Sequence, residues 1–152
     1  HQLLGFSYSR DLRKVDRLYD EPMRAIGEDE DFPRVATGDP SYDLSGYFLA
    51  EGFFPIWRVT DDPIFAGLPE VMIMRCSHYC EVKALPPGFI HLARSKHCLI
   101  EGMRHASKPI YGFQFHAEMF AAPFFHGRTL LSNFARIVND FWAAKACSRG
   151  AP

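Results

Sequence analysis

The side chains best suited to chemistry stand two positions apart, His116 and Glu118, just past the run Pro109-Ile110-Tyr111-Gly112-Phe113-Gln114-Phe115. That run reads as a buried strand. Alternate side chains of extended backbone point the same way, which sets an imidazole and a carboxylate side by side. A carboxylate that orients an imidazole produces a general base, and the two supply two-thirds of a nucleophilic triad. The carboxyl end of a strand is also where open α/β sheets bind ligands. A lone histidine at a strand end is ordinarily bonded to a neighbour and nothing more. The strand, the spacing and the acid together favour chemistry.

The elements that must position this pair can be read outward from it. His1 to about Tyr8 is apolar with small residues and is expected to be helical. Asp11 to Arg24 reads as a surface helix interrupted by Pro22. The acidic run Glu28 to Asp31 reads as a solvated loop rather than a binding site, and Ala25 to Gly52 is the least regular part of the chain. Short strands follow at Pro55 to Val59 and Val71 to Met74, with a one-turn connector over Pro63 to Pro69. Val82 to Leu85 and Phe89 to Ala93 are expected to pair around the turn Pro86-Pro87-Gly88. Leu99 to Arg104 reads as the strand before the histidine strand. After Gly127, the apolar residues Leu130, Leu131, Phe134, Ile137, Val138, Phe141 and Trp142 keep helical spacing. The tail from Ser148 is expected to fray.

The run Gly112-Phe113-Gln114-Phe115-His116-Ala117-Glu118 resembles the motif that closes class I glutamine amidotransferases, Gly-hydrophobic-Gln-Phe-His-Pro-Glu, with Ala117 in place of the proline. His1-Gln2 resembles the last two residues of that family's nucleophile elbow, Gly-x-Cys-x-Gly-His-Gln. The resemblance thus implies that the chain begins just after the catalytic cysteine. Pro63 to Leu68, Ser77 to Val82, Leu85 to Gly88, Ile110 to Glu118 and Gly127 to Phe134 match family landmarks in order. Ser9 to Gly52 does not, and reads as an insertion. The run Ser77-His78-Tyr79-Cys80-Glu81-Val82 is similar to an uncharacterised branch of the family.

The resemblance implies an α/β fold: a flavodoxin-like three-layer sandwich with a mostly parallel central sheet, its amino-terminal part missing here. Residues 1–147 would form one incomplete domain. It implies hydrolysis of the glutamine side-chain amide through a Cys-His-Glu triad, with His116 as base and Glu118 as its orienter. Gln2, Ser77, His78 and Tyr79 would contact the substrate. A synthase domain or subunit would take the ammonia. Two other readings stay open: a non-catalytic glutaminase-like binding module, and a hydrolase of other γ-glutamyl amides. A sheet deprived of its neighbouring strands leaves an edge that invites self-association.

Composition narrows the classes. At 152 residues, 47% hydrophobic and 23% charged, the chain can bury one core of ordinary globular type. A net charge of −1 gives no support to nucleic acid or an anionic membrane as partner. No apolar run approaches the roughly 20 residues of a bilayer span. Cys76, Cys80, Cys98 and Cys147 are too sparse for a disulfide scaffold, and reduced thiols in a cytoplasmic protein are expected. No phosphate loop is present. Cys76, His78 and Cys80 alternate and would share a face suited to zinc, with Cys98 or His97 as a fourth ligand. The glutaminase resemblance accounts for the same stretch, so neither metal nor cofactor is expected. His91, His97, His105 and His126 read as surface or loop residues.

Overall fold

The computed structural model describes residues 1–8, 21–27, 29–31 and 46–149. The helix expected over Asp11 to Arg24 lies largely outside them, as does part of the irregular stretch Ala25 to Gly52. Pro22 does not interrupt a helix: Glu21–Pro22 is a two-residue strand, β1.

A short helix, α1 (Gln2–Tyr8), opens the chain. After β1 come β2 (Ala50–Arg58), β3 (Val71–His78), β4 (Cys80–Glu81), β5 (Phe89–Arg94), β6 (Gly102–His105) and β7 (Tyr111–Phe113). The helix α2 (His126–Arg149) closes it. Strands β1 and β4 form a small sheet; the main sheet runs in the order β3-β2-β5-β6-β7. Every strand pair in both sheets is antiparallel.

This corrects the expectation of a mostly parallel sheet for the described residues. Parallel neighbours need a crossover of a dozen or more residues, usually a helix. The links β5–β6 and β6–β7 are short loops, and the longer β2–β3 link holds only the single 3-10 turn Pro63–Phe65. No crossover helix falls between the described strands of the main sheet, and each strand there runs antiparallel to its neighbours. Val82 to Leu85 is not a strand: β5 leaves the turn at Gly88, whose φ of 80° suits a residue without a Cβ, and pairs with β6 and β2 instead.

Side-chain alternation then builds the core. On β3, Met72, Met74, Cys76 and His78 face inward while Val71 and Ser77 face out. Phe48, Ile56, Ile64, Phe65, Leu92, Phe115 and Leu130 complete the main cluster. A second cluster of Val82, Phe89, Ile100 and Met103 takes Leu4, Phe6 and Tyr8 of α1. Beyond β7 the chain crosses to the far edge of the sheet, where His116 donates its backbone N–H to the carbonyl of Arg75 on β3 at 2.7 Å. The two edges are thereby drawn together and the sheet curls. The helical spacing read after Gly127 is realised in α2, which continues through Ser148 to Arg149.

Candidate active site

His116 sits where three elements meet: the end of the β7 segment, the edge of β3, and a 3-10 turn over Ala117–Met119. Its Nδ1 lies 2.7 Å from Oε1 of Glu118. The strand ends at Phe113 and Glu118 lies in the 3-10 turn, so the turn and not strand alternation brings the two together. The imidazole is 38% exposed and the carboxylate 64%. The ring is therefore open on one side. The bond to His116 holds the Glu118 carboxyl below its ordinary value.

The backbone between the two is fixed from outside. A Cβ placed on Gly127 would lie 2.2 Å from the carbonyl oxygen of Ala117. Only glycine lets the first turn of α2 press against the peptide joining base to orienter. Two further contacts seat α2. His126 Nδ1 accepts from the backbone N–H of Ile73 on β3 at 2.9 Å, so this histidine is a tie and not the surface residue expected. The buried Asn133 amide donates to the carbonyls of Ile64 and Ala66, each at 2.8 Å. The beginning of α1 lies against the same strand, with Leu4 and His1 beside Gly112, four residues before His116.

Of the other expected site residues, Ser77 is exposed and donates its hydroxyl to Glu51 at 2.7 Å. Glu51 stands opposite Ser77 in the β2–β3 register and also accepts from the Arg75 guanidinium. Those two donors, Arg75 first, hold the Glu51 carboxyl down. Tyr79 is 42% exposed beside Ser77. Gln2 begins α1 and is half-buried. The His78 ring points the other way. It is buried, its Nδ1 is 3.1 Å from the carbonyl oxygen of Cys80, and its Nε2 is 3.9 Å from Oε1 of Glu101. Burial lowers the His78 pKa and pushes that of the Glu101 carboxyl up to about 7.

Sequence reading missed Arg75, Glu51, Gly127 and Glu101. A glycine at the start of an apolar helix could have flagged Gly127, since a helix start gains nothing from it unless something approaches closely. Glu51 and Glu101 carry no local signal; strand register brings Glu51 to Ser77, and the curl of the sheet brings Glu101 to His78. Of the acidic run, Glu30 has local donors. Glu30 accepts from both Arg24 nitrogens and from the Gly27 N–H, which take its carboxyl down to about 2.

No cysteine among the described residues is set up as a nucleophile. An attacking thiol needs a lowered pKa and access. Burial raises the thiols of Cys76 and Cys98 instead, Cys80 is buried, and Cys147 lies on the exposed end of α2.

The His116–Glu118 pair lies at the lip of the sheet, with the matched family landmarks on the same chain. The model of the family "Glutamine amidotransferase class-I" matches residues 56–138, more than half of the chain, and the chain belongs to that family. Among its relatives is a glutamine-hydrolyzing GMP synthase subunit of Pyrococcus abyssi, 49% identical over 80 residues, which cover 53% of this chain and 42% of that protein. The Archaeoglobus fulgidus protein of the same name is 47% identical over 79 residues, covering 52% and 42%. These relatives bear a named activity, where Ser77 to Val82 suggests an uncharacterised branch. Among solved structures, a putative GMP synthase subunit from Thermoplasma acidophilum matches with a TM-score of 0.59 at 28% identity, covering 64% of this chain and 48% of that one. The matched stretch thus amounts to about two-fifths of the curated relatives' length. No helix among the described residues is long and apolar enough to cross a membrane.

Proposed function

We propose that this chain is the base-bearing part of a glutamine-hydrolysing amidotransferase that delivers ammonia to a GMP-forming partner subunit. The observation that carries the reading is the 2.7 Å contact between His116 Nδ1 and Glu118, with the ring left partly open. With Nδ1–H donated to the carboxylate, Nε2 is the free base. It takes the proton of a cysteine thiol supplied from before His1. The thiolate attacks the glutamine side-chain carbonyl, the same imidazole returns the proton to departing ammonia, and water then cleaves the glutamyl thioester. Glu118 stabilises the imidazolium that forms in each half.

Ser77 and Tyr79, on the segment beside Arg75, are the proposed contacts to the α-amino and carboxylate groups of glutamine, with the backbone of His78 between them. Glu51 keeps the Ser77 hydroxyl in place. Gln2 contacts the substrate near the nucleophile. The parallel half of a flavodoxin-like sheet would be formed by residues before His1 and would stack against β7. The identity to glutamine-hydrolyzing GMP synthase subunits supports a purine-nucleotide acceptor over other amidotransferase acceptors.

The test is ammonia release by the full-length protein supplied with glutamine, alone and with a GMP synthase subunit that lacks its own glutaminase. Release that depends on glutamine, and rises with the partner, is the expected result. Binding of glutamine without release in both settings would favour a non-catalytic module. Faster release from other γ-glutamyl amides would move the substrate.

A further inference from the structure

Behind the segment that presents Ser77 lies a second set of groups that the proposed reaction does not use. The Cys76 Sγ, an imidazole nitrogen of His78 and a carboxylate oxygen of Glu101 lie within 4.8 Å of one another, and all three residues are buried. Two come from alternate positions of β3; the third precedes β6, on the far side of the curled sheet. Their side chains are almost sealed from solvent, with 6% exposure at His78 and 1% at Glu101. Nε2 of His78 and Oε2 of Glu101 are both without a hydrogen-bond partner. The 3.9 Å between His78 Nε2 and Glu101 Oε1 is too long for a hydrogen bond.

Orphaned polar atoms at this depth are rare and costly, and call for a group between them. A water could bridge the nitrogen and the carboxylate, but it gains little from the thiol. A divalent cation uses all three. A tetrahedral zinc with bonds of about 2.3 Å to sulfur and 2.0–2.2 Å to nitrogen and oxygen sets its ligand atoms roughly 3.4–3.7 Å apart, so the three donors need to close by no more than about an ångström. One thiolate and one carboxylate cancel the ion's charge, with a neutral imidazole completing the set. A neutral cluster is the form that a sealed site tolerates best.

We propose that Cys76, His78 and Glu101 form a structural zinc site that locks the end of β3 to the segment entering β6. Binding transfers the Cys76 thiol proton to solvent and forms the sulfur–metal bond. The site replaces the set read from the sequence, since Glu101 takes the place expected for Cys80, and it revises the expectation that no metal is bound. It is independent of glutamine hydrolysis, and its test needs no substrate.

The full-length protein is freed of metal by a chelator, and its exposed thiols, Cys147 included, are alkylated in the folded state. It is then titrated with cobalt(II) and afterwards with zinc. One cobalt per chain with a thiolate-to-metal absorption band, displaced by zinc, is expected, together with a zinc-dependent rise in the thermal midpoint. Glu101→Gln and His78→Ala should each weaken zinc by about tenfold or more, the loss seen even for residues that merely support a ligand. Cys76→Ser should remove the band. If that variant fails to fold, the band in the parent protein still reports sulfur ligation. Absence of the band in the parent, or a band untouched by both Glu101→Gln and His78→Ala, overturns the site.

Discussion

The contact between His116 and Glu118 makes predictions about each partner separately. The carboxyl of Glu118 is held down by its bond to the imidazole. A depressed carboxyl contributes stability that is fully present above its unfolded value and is lost as pH falls through the folded value. The pair should therefore persist below the ordinary carboxylate range. Removing the imidazole by His116→Ala should return the Glu118 titration toward that range, read by carbon-detected NMR; an unmoved titration would mean that the bond is not formed in solution. In the full-length protein, Glu118→Gln should lower kcat for ammonia release by about 100-fold with little change in KM, since the orienter acts on the base and not on the substrate. Equal losses in kcat and affinity would place Glu118 in substrate binding instead. The pair was legible in the sequence because its spacing is local, although a 3-10 turn and not strand alternation brings the two together. Glu51 and Glu101 were not, because an isolated acid says nothing about what lies across the sheet.

At the scale of elements, the site depends on how α2 docks. Gly127→Ala sets a methyl group against the Ala117 carbonyl at 2.2 Å, so the helix start or the 3-10 turn must shift. The expected cost is about 1–3 kcal/mol by denaturant unfolding, with a fall in kcat larger than the stability loss accounts for at low temperature. A variant as stable and as active as the parent would show that the approach is not close. Asn133→Ala leaves the buried carbonyl of Ile64 and the partly buried one of Ala66 without their donor. It should destabilise by about 1–3 kcal/mol in the same experiment. Much of this scale was visible beforehand. The apolar spacing of α2, the turn at Gly88 and the 3-10 connector at Pro63 are written in local residue types. The length of β2 was underestimated, since Ala50 to Phe54 is a strand only because β3 lies beside it.

At the scale of the molecule, the direction of the sheet departs from expectation. The family resemblance suggests parallel strands, yet strands in the described part are joined by links with no crossover helix and turn back on one another. Strand direction is set by connections, and these were open to a closer reading of loop lengths. What no local pattern could give is the curl, through which His116 reaches Arg75 across the sheet. The reaction proposed for this arrangement also requires a thiol from before His1, and the central claim is therefore best tested on the full-length protein. We expect His116→Ala to reduce ammonia release from glutamine by about 100-fold to 10,000-fold while glutamine still binds. Ammonia release at the parent's rate from the His116→Ala protein would contradict the account.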